Sequence, residues 1–158
     1  QGVNNQSSWS RGQAWGLYGF TMMYRQTGKK EYLDHAIKIG KFIMNHPRLP
    51  KDKIPYWDFD APNIPNEPRD ASAAACTASA LYEMENYLPG NDYKVTADKI
   101  MESLGSPAYR AAVGTNGNFI LMHSVGSIPH DSEIDVPLNY ADYYFLEGLM
   151  RKRDMEKK

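Results

Sequence analysis

The stretch that decides the fold, residues 8–26, reads SWSRGQAWGLYGFTMMYRQ. A serine at its start, Ser8 or Ser10, can cap a helix, and Gly28 just beyond it can end that helix. Three glycines recur one turn apart and form a bare stripe along the helix: Gly12, Gly16 and Gly19. Because bulky apolar side chains crowd the other faces, the segment is predicted to be a helix buried between other helices.

The same pairing of a buried helix with an amphipathic outer helix recurs along the chain. The first pair is completed by an amphipathic segment over 31–45, reached through a tight turn. A second buried helix, made of small residues, is predicted over 71–88, with Asp70 as its cap. Its outer partner is an amphipathic segment over 93–104.

A third buried helix has no partner after it. Pro137 suits the first turn of this helix, which is predicted to reach about Arg151 before a charged tail. The buried helices therefore begin roughly every 60–70 residues, a longer repeat than in the common helical solenoids. Helix pairs of this kind close into a ring, and we expect the chain to be the last part of one, because little sequence follows Arg151.

Two long connections interrupt the helices. Residues 46–69 hold six of the ten prolines, a density that excludes a helix there. Because most connections are much shorter, this loop is predicted to be packed or functional. The second connection covers 105–136, and its residues 118–123 suit a short strand.

The composition is that of an ordinary globular chain. Its 158 residues are 42% hydrophobic and 23% charged, with a net charge of 18 − 19 = −1, which argues against disorder and against nucleic acid as a main partner. No apolar run is long enough for a membrane span. The single cysteine, Cys76, excludes an internal disulfide, and no cluster of residues has metal-ligand spacing, so we expect no metal and no cofactor. Aromatic side chains make up 12%, a content typical of sugar binders.

The start of the chain indicates a fragment. It opens on Gln1 rather than Met, shows no signal peptide, and passes through a polar stretch straight into the first helix. We therefore expect residues 1–158 to be one piece of a single, longer domain.

Four strings of residues stand out by their length and order. They read SWSRGQAWG at 8–16, PYWDFDAP at 55–62, EPRDASAA at 67–74, and DVPL at 135–138 followed by YADYYFLE at 140–147. Together they resemble the signature of glycoside hydrolase family 88, the unsaturated glucuronyl hydrolases. The family fold is an (α/α)6 barrel, a toroid of six helical hairpins. The resemblance thus implies an all-α fragment, the C-terminal portion of the barrel of such a catalytic domain.

The resemblance also implies a reaction. Family members remove 4,5-unsaturated glucuronyl residues from lyase-generated glycosaminoglycan-type oligosaccharides. An aspartic acid protonates the C4=C5 double bond, water adds at C5, and the hemiketal collapses to release the aglycone, unlike the two-carboxylate displacement of ordinary glycosidases. The family's catalytic aspartates precede the first string, and none of this chain's candidates matches them: Asp58, Asp60, Asp70, Asp135 and Asp142. We therefore expect no catalytic residue here, and an inactive fragment.

Arg11 and Trp15 are the first candidate substrate-binding residues. They lie one turn apart on the same face of the first helix. A guanidinium beside an indole suits a sugar with carboxylate or hydroxyl acceptors, because the ring stacks on the sugar's C–H face. The family uses the matching Arg and Trp to line its substrate site. The alternative is a buried Arg11 paired with a carboxylate of the next helix, beside an ordinary core tryptophan.

Ser124 and Ser127 are the second pair of candidates. In family members that act on sulfated disaccharides, a Ser-x-x-Ser-x-Lys pattern resembles this loop and contacts sulfate. Here Pro129 stands where the lysine would be, which puts a strong sulfate preference in doubt, and His130 is a weak substitute near neutral pH. The alternative is that both serines are ordinary turn residues.

The other polar residues of the strings have structural interpretations. Asp58 and Asp60, beside Trp57, are expected to order the proline-rich loop by accepting backbone hydrogen bonds rather than to form a site. Arg69 and Asp70 are expected to form a helix cap and an ion pair. His123, although plausible near a sugar, is more often structural in such a position.

Three further expectations concern function and partners. The expected ligand is an unsaturated uronyl disaccharide or oligosaccharide, with no nucleic acid and no membrane. Two alternatives stay open: an unsaturated rhamnogalacturonyl hydrolase acting on pectin fragments, from which the first two strings point away, and a non-catalytic carbohydrate-binding scaffold. A cut barrel would expose the apolar flanks of its first and last helices, so we expect self-association or pairing with the rest of the barrel.

Overall fold

The structure is a computed structural model that describes residues 2–157, so Gln1 and Lys158, the ends of the expected fragment 1–158, lie outside the described residues. It is mostly helical, with a small two-stranded antiparallel sheet. The elements are α1 Ser10–Thr27, α2 Lys30–Asn45, α3 Ala71–Tyr87, α4 Tyr93–Gly105, β1 Ser124–Ser127, β2 Ser132–Val136 and α5 Asn139–Glu156. Single 3₁₀ turns lie at Asn116–Asn118 and Ile128–His130.

The inner helices form a row with α3 in the middle. α1 packs on one side of α3 and α5 on the other, while α2 covers α1 and α4 covers α3. Every residue of α3 from 71 to 84 is buried, and most are Ala or Ser, so neighbouring helices approach it closely. The predicted arrangement of two helical hairpins and one further inner helix is thus confirmed.

Two of the three predicted helix caps are present in the structure. Asp70 caps α3 as predicted, because its carboxylate accepts from the amides of Ser72 and Ala73. Gly28 ends α1 in the left-handed region at φ 67°. The predicted serine cap of α1 is wrong: the N-cap is Trp9, and the hydroxyl of Ser10 donates to the carbonyl of Tyr56 in the proline-rich loop.

Two predictions at the C-terminal end of the chain are corrected. Helix α5 begins at Asn139 instead of Pro137, which directly follows β2, and it continues to Glu156 rather than ending at Arg151. The extra turn is helical because Arg151 and Lys152 bond to groups on the neighbouring helices. The predicted strand over 118–123 is reduced to a single antiparallel bridge between Leu121 and Arg110, because the amides of Ile120 and Leu121 donate to the Asp142 carboxylate; the first regular strand is β1.

Side chains tie the helices together at two places. Glu83 of α3 bonds to Arg25 of α1 and Arg151 of α5, at 2.9 and 2.8 Å. Asp98 of α4 accepts from the Tyr82 hydroxyl at 2.7 Å and from Lys94 at 2.5 Å, and Lys152 of α5 lies 3.1 Å from it. Burial alone would raise the pKa of Asp98, but these hydrogen bonds outweigh it and hold that pKa below its ordinary value.

The outer flanks of the row are apolar and exposed. Helix α1 packs between α2 and α3, burying Ala14, Leu17 and Thr21, but it exposes Trp15 and Met23. Helix α5 exposes a larger set: Tyr143, Leu146, Leu149 and Met150. The expected exposure of the first and last inner helices is confirmed. None of the helices in residues 2–157 is both long and apolar enough to cross a bilayer.

Candidate substrate-binding site

The N-terminal ends of the three inner helices meet at one place. Arg11 lies in the first turn of α1, Asp70 caps α3, and Tyr140 lies in the first turn of α5. The start of β1 covers this meeting point, because the amide of Ala71 donates to the carbonyl of His123. Residues distant in sequence therefore share one polar centre at the end of the helix row.

The Arg11 guanidinium is the centre of the site and is only 2% exposed. Its Nη1 donates to the carbonyl oxygen of Val125, and its Nη2 donates to that of Gly126 at 2.5 Å. The same Nη1 lies 3.4 Å from an oxygen of Asp70. Within residues 2–157, Arg11 Nε has no hydrogen-bond partner. Arg11 therefore has the geometry that the sequence analysis gave as the alternative to substrate binding, a buried arginine paired with a carboxylate of the next inner helix.

Three aromatic rings surround this guanidinium. Its Cζ lies 4.9 Å from the ring centre of Trp9, 5.4 Å from that of Trp15 and 5.3 Å from that of Tyr140, distances at which cations attract ring faces. The rings of Trp9 and Trp15 meet edge to face at 5.6 Å. Trp15 is 41% exposed, so it is not an ordinary core tryptophan and presents an apolar surface at the mouth of the site.

The Asp70 carboxyl balances the buried positive charge. It is fully buried and accepts from the amides of Ser72 and Ala73 and from the Ser72 hydroxyl, as well as from Arg11. Burial raises the pKa of Asp70, although Arg11 and these hydrogen bonds act in the opposite direction. Burial also raises the pKa of the nearby Tyr140. The predicted ion pair between Arg69 and Asp70 is not formed; Arg69 instead pairs with Asp52.

The two candidate serines lie in different surroundings. Ser124 is completely buried, and its hydroxyl has no hydrogen-bond partner within the described chain. Ser127 is 9% exposed, and its hydroxyl lies 2.7 Å from Nδ1 of His130. His130 is thus engaged with Ser127 itself, while Pro129 sits in the 3₁₀ turn between the strands.

The structural interpretation of the loop aspartates is confirmed. Asp58 accepts from the amides of Val3 and Asp60 and from the Ser7 hydroxyl, and it is fully buried. Asp60 accepts from the amide of Ser8. Trp57 is also buried, and its Nε1 donates to Glu67. These bonds fasten the proline-rich loop to the start of α1 and leave no free carboxylate there.

His123 lies beside the site in a second groove. His123 directly precedes β1, and its Nδ1 is 2.7 Å from an oxygen of Asp135 in β2, so this contact links the two strands. The groove, of about 360 Å³, is also lined by Glu67, Arg69 and Tyr109. In the part of the chain that the structure describes, no group of three or more His, Cys, Asp or Glu could hold a metal ion.

Sequence reasoning missed Trp9 and Tyr140 as members of the site. Both lie inside the family-like strings, which is the signal that could have identified them. Trp9 is the cap residue of α1, and Tyr140 reaches Arg11 only because α5 packs beside α3. A contact that depends on helix packing leaves no local spacing pattern in the chain.

Relatives with curated descriptions are hydrolases of unsaturated uronyl sugars. An unsaturated glucuronyl hydrolase of Formosa agariphila is 48% identical over 155 residues, which cover 98% of this chain and 39% of that protein. An unsaturated chondroitin disaccharide hydrolase of Streptococcus agalactiae is 36% identical, over 96% of this chain and 38% of that protein. No family profile matches the chain.

Solved structures agree with these relatives. An unsaturated glucuronyl hydrolase described as specific for heparin superposes with a TM-score of 0.97 at 53% identity, covering 100% of this chain and 43% of that one. The Streptococcus agalactiae enzyme complexed with dGlcA-GalNAc6S superposes with a TM-score of 0.87 at 34% identity, over 96% of this chain and 41% of that one.

These similarities define first a class, the (α/α)6-barrel glycoside hydrolases. Within it, the chain belongs to the unsaturated glucuronyl hydrolase family. It spans about two fifths of the length of the curated relatives it matches. Neither the pectin-fragment alternative nor the non-catalytic scaffold is favoured by them.

Proposed function

We propose that this chain is the C-terminal part of an (α/α)6 barrel whose complete form removes 4,5-unsaturated glucuronyl residues from glycosaminoglycan-type oligosaccharides. The reaction is hydration of the C4=C5 double bond. The observation that carries the proposal is the superposition of the whole chain on the hydrolase specific for heparin, at 53% identity and a TM-score of 0.97. The curated relative that acts on chondroitin disaccharide supports the same substrate class.

The proton donor is proposed to come from the remainder of the barrel. A general acid must have a proton free to give and must reach the reacting atom. The five candidate aspartates of this chain are all engaged in bonds that hold the structure: Asp58, Asp60, Asp70, Asp135 and Asp142. We therefore expect the chain alone to be inactive.

Trp15 is the proposed stacking surface for the sugar. Its ring is exposed beside the buried positive charge of Arg11, and an indole face packs well on the apolar side of a pyranose. Ser127 directly follows Gly126, whose carbonyl oxygen accepts from Arg11. Arg11 and Ser124 are buried already in this part of the barrel, and further chain can only bury them more. A sugar therefore reaches these two side chains only if β1 moves.

The serine loop is proposed to give a weak preference for sulfate. Sulfate recognition relies on a fixed cation or several donors. In residues 124–130 the only basic side chain is His130, and its Nδ1 is already bonded to Ser127. Pro129 supplies neither charge nor a backbone donor.

The apolar flanks of α1 and α5 are proposed to pack against the missing hairpins. These helices lie on opposite sides of α3, so they form the two open ends of the row. Exposed apolar patches of this kind are unusual on monomers. The isolated chain is expected to self-associate at tens of micromolar in light scattering, whereas the complete barrel keeps these flanks covered. A monodisperse, monomeric fragment would contradict this part of the proposal.

The test follows the ultraviolet absorbance of the C4=C5 bond. Unsaturated chondroitin and heparin disaccharides are offered to this chain, to the full-length protein and to full-length variants. Trp15→Ala is expected to raise KM by about tenfold through lost stacking. The matched control is Phe42→Ala, because Phe42 is a similarly exposed aromatic on the outer helix α2.

The outcomes separate the parts of the proposal. Activity in the full-length protein but not in this chain supports it. Activity in this chain alone would mean that one of its own aspartates donates the proton. No activity of the full-length protein on any of these disaccharides would refute the proposed substrate class.

A further inference from the structure

The positive charge of the chain is concentrated in one segment. Residues 29–53 hold seven Lys and Arg but only three Asp and Glu, a formal charge of +4 in a chain whose total is −1. Most basic side chains within residues 2–157 form ion pairs. Those that form none are Lys29, Lys38, Lys41, Arg48, Lys51, Lys53 and Arg110. All of these except Arg110 lie in 29–53, so this segment carries cations without counter-charges, an arrangement that a bound anion would stabilise.

Two of these cations lie side by side on α2. Lys38 and Lys41 are both exposed and three residues apart, so they are neighbours on the helix surface. Asp34, one turn before Lys38, is already bonded to Lys30 at 2.6 Å. One turn beyond Lys41 lies Asn45, whose side-chain amide donates to the Lys41 carbonyl at 2.9 Å. The two free ammonium groups therefore lead along α2 to Asn45.

A groove of about 500 Å³ continues this surface between α2 and α4. Asn45 and Lys53 line one side of this α2–α4 groove, and Val95 and Lys99 line the other. Lys53 is half-buried there and forms no ion pair within the described chain. Lys99 lies 2.8 Å from the exposed Glu102, a surface pair of the kind that contributes little and opens readily. The groove therefore holds two ammonium groups that are available to a ligand.

The composition of the groove suits an acidic sugar. Val95, 68% exposed, places an apolar surface between the two lysines, and the Asp92 carboxylate can accept from hydroxyl groups. Lys53 has a left-handed backbone, with φ 64°, where Gly or Asn is the usual choice, so turn geometry does not explain the lysine. Ammonium groups pair with carboxylate or sulfate, while the apolar surface can contact the C–H side of a pyranose.

The missing hairpins of the barrel would leave this groove open. Both of its walls belong to this chain, and α2 and α4 are outer helices that cover α1 and α3. The two open ends of the row are at α1 and α5, and the described residues that line the groove belong to neither helix. The groove is therefore also separate from the site around Arg11 and Trp15.

We propose that Lys38, Lys41 and the α2–α4 groove form a second, non-catalytic surface that holds an anionic glycosaminoglycan chain. The inference rests on the proposed function, because that function brings the protein to chains that carry carboxylate and sulfate groups. Lysine is a compact point charge on a flexible stem, which suits anionic groups at varied positions. A protein held on such a polymer meets the oligosaccharides released nearby at a raised effective concentration.

The experiment measures binding of the full-length protein to a saturated chondroitin sulfate decasaccharide, which lacks the C4=C5 bond and cannot be hydrolysed by the proposed reaction. The test variant combines Lys41→Gln with Lys53→Gln. The matched control combines Arg110→Gln with Lys157→Gln, which removes two exposed positive charges outside residues 29–53. Unchanged melting temperatures show that both variants are folded.

The test variant is expected to weaken binding by about tenfold or more at low salt, and the control by less than about twofold. The slope of log Kd against log salt concentration is expected to fall by about one for each lysine that contacts the chain. Lys41→Arg with Lys53→Arg keeps both charges and should keep the binding. Phosphatidylglycerol vesicles and a single-stranded DNA of equal charge are offered in parallel. We expect both to bind more weakly than the decasaccharide, because neither offers acidic pyranose units to the groove.

An equal loss of binding in the test variant and the control would overturn the proposal, since only net charge would then matter. Unweakened binding in the test variant would overturn it too, because the decasaccharide would be held elsewhere. Tighter binding of vesicles or DNA would exclude a polysaccharide as the partner. Hydrolysis of unsaturated disaccharides is measured separately. If hydrolysis is absent while lysine-dependent binding persists, the proposed function fails and the surface stands; the reverse result removes the surface alone.

Discussion

Glu83→Gln tests whether a buried carboxylate holds the three inner helices together. Glu83 lies near the C-terminal end of α3, with a side chain only 8% exposed. One of its oxygens accepts from Arg25 of α1 and from Arg151 of α5, and the other accepts from the Tyr87 hydroxyl at 3.0 Å. The substitution keeps the shape of the side chain but removes the charge and turns one acceptor into a donor.

The expected loss follows from how exposed each partner is. Breaking a fully buried pair costs about 3–5 kcal/mol, because the remaining charge stays unpaired. Arg151 is 18% exposed and keeps Glu147 at 3.4 Å, whereas Arg25 is 40% exposed and is free to turn to water. We therefore expect a loss of about 2–3 kcal/mol in the free energy of unfolding, below the fully buried value.

The assay is thermal unfolding of the full-length protein followed by calorimetry. The melting temperature of the Glu83→Gln variant is expected to fall by at least about 3 °C. The control is Glu102→Gln, which removes an exposed carboxylate paired with Lys99 and is expected to leave the melting temperature unchanged. If the melting temperature of Glu83→Gln falls no further than that of the control, the reasoning is refuted. Arg25 and Arg151 would then be hydrated as well without Glu83 as they are stabilised by it.

Three further predictions concern other contacts. Asp98→Asn is expected to cost about 1 kcal/mol at neutral pH. Because the native pKa of Asp98 lies below its ordinary value of 3.8, the wild-type advantage is complete above pH 3.8 and disappears as the pH falls through the native pKa, which urea unfolding at several pH values measures. Gly126→Ala places a Cβ 2.5 Å from the Cβ of Glu133, so hydrogen exchange in β1 is expected to accelerate, and Glu133→Gly should partly restore it. Phe59→Ala, at a ring 2% exposed, is expected to cost about 3–5 kcal/mol in the same unfolding assay, and a cost below 1 kcal/mol would contradict its place in the core.

The helices were predictable because their signals are local. The apolar crowding and glycine spacing of residues 10–27, the cap at Asp70 and the proline density of 46–69 each act within a few residues. The errors lie where a distant partner competes. The hydroxyl of Ser10 donates to the carbonyl of Tyr56 instead of capping α1. The amides of Ile120 and Leu121 donate to the Asp142 carboxylate of α5 instead of to a neighbouring strand.

The candidate site was predictable in its members more than in their roles. Arg11 and Trp15 were chosen from one helix face, and both lie at the site. Their environments differ sharply, however: the guanidinium is buried against β1, while the indole next to it is exposed. Spacing along a helix shows which side chains are neighbours, but it does not show what the facing element will cover.

The sequence by itself therefore determined the alternation of inner and outer helices, the ordered proline-rich loop and the family resemblance, because these depend on composition and short-range order. Only the tertiary structure decided that Arg11 bonds to the backbone of β1, that Asp70 rather than a surface group balances its charge, and that Tyr140 completes the ring of aromatics. These contacts join residues from α1, α3, β1 and α5. They form because a buried guanidinium must find acceptors wherever helix packing places them, and that requirement is met in three dimensions rather than along the chain.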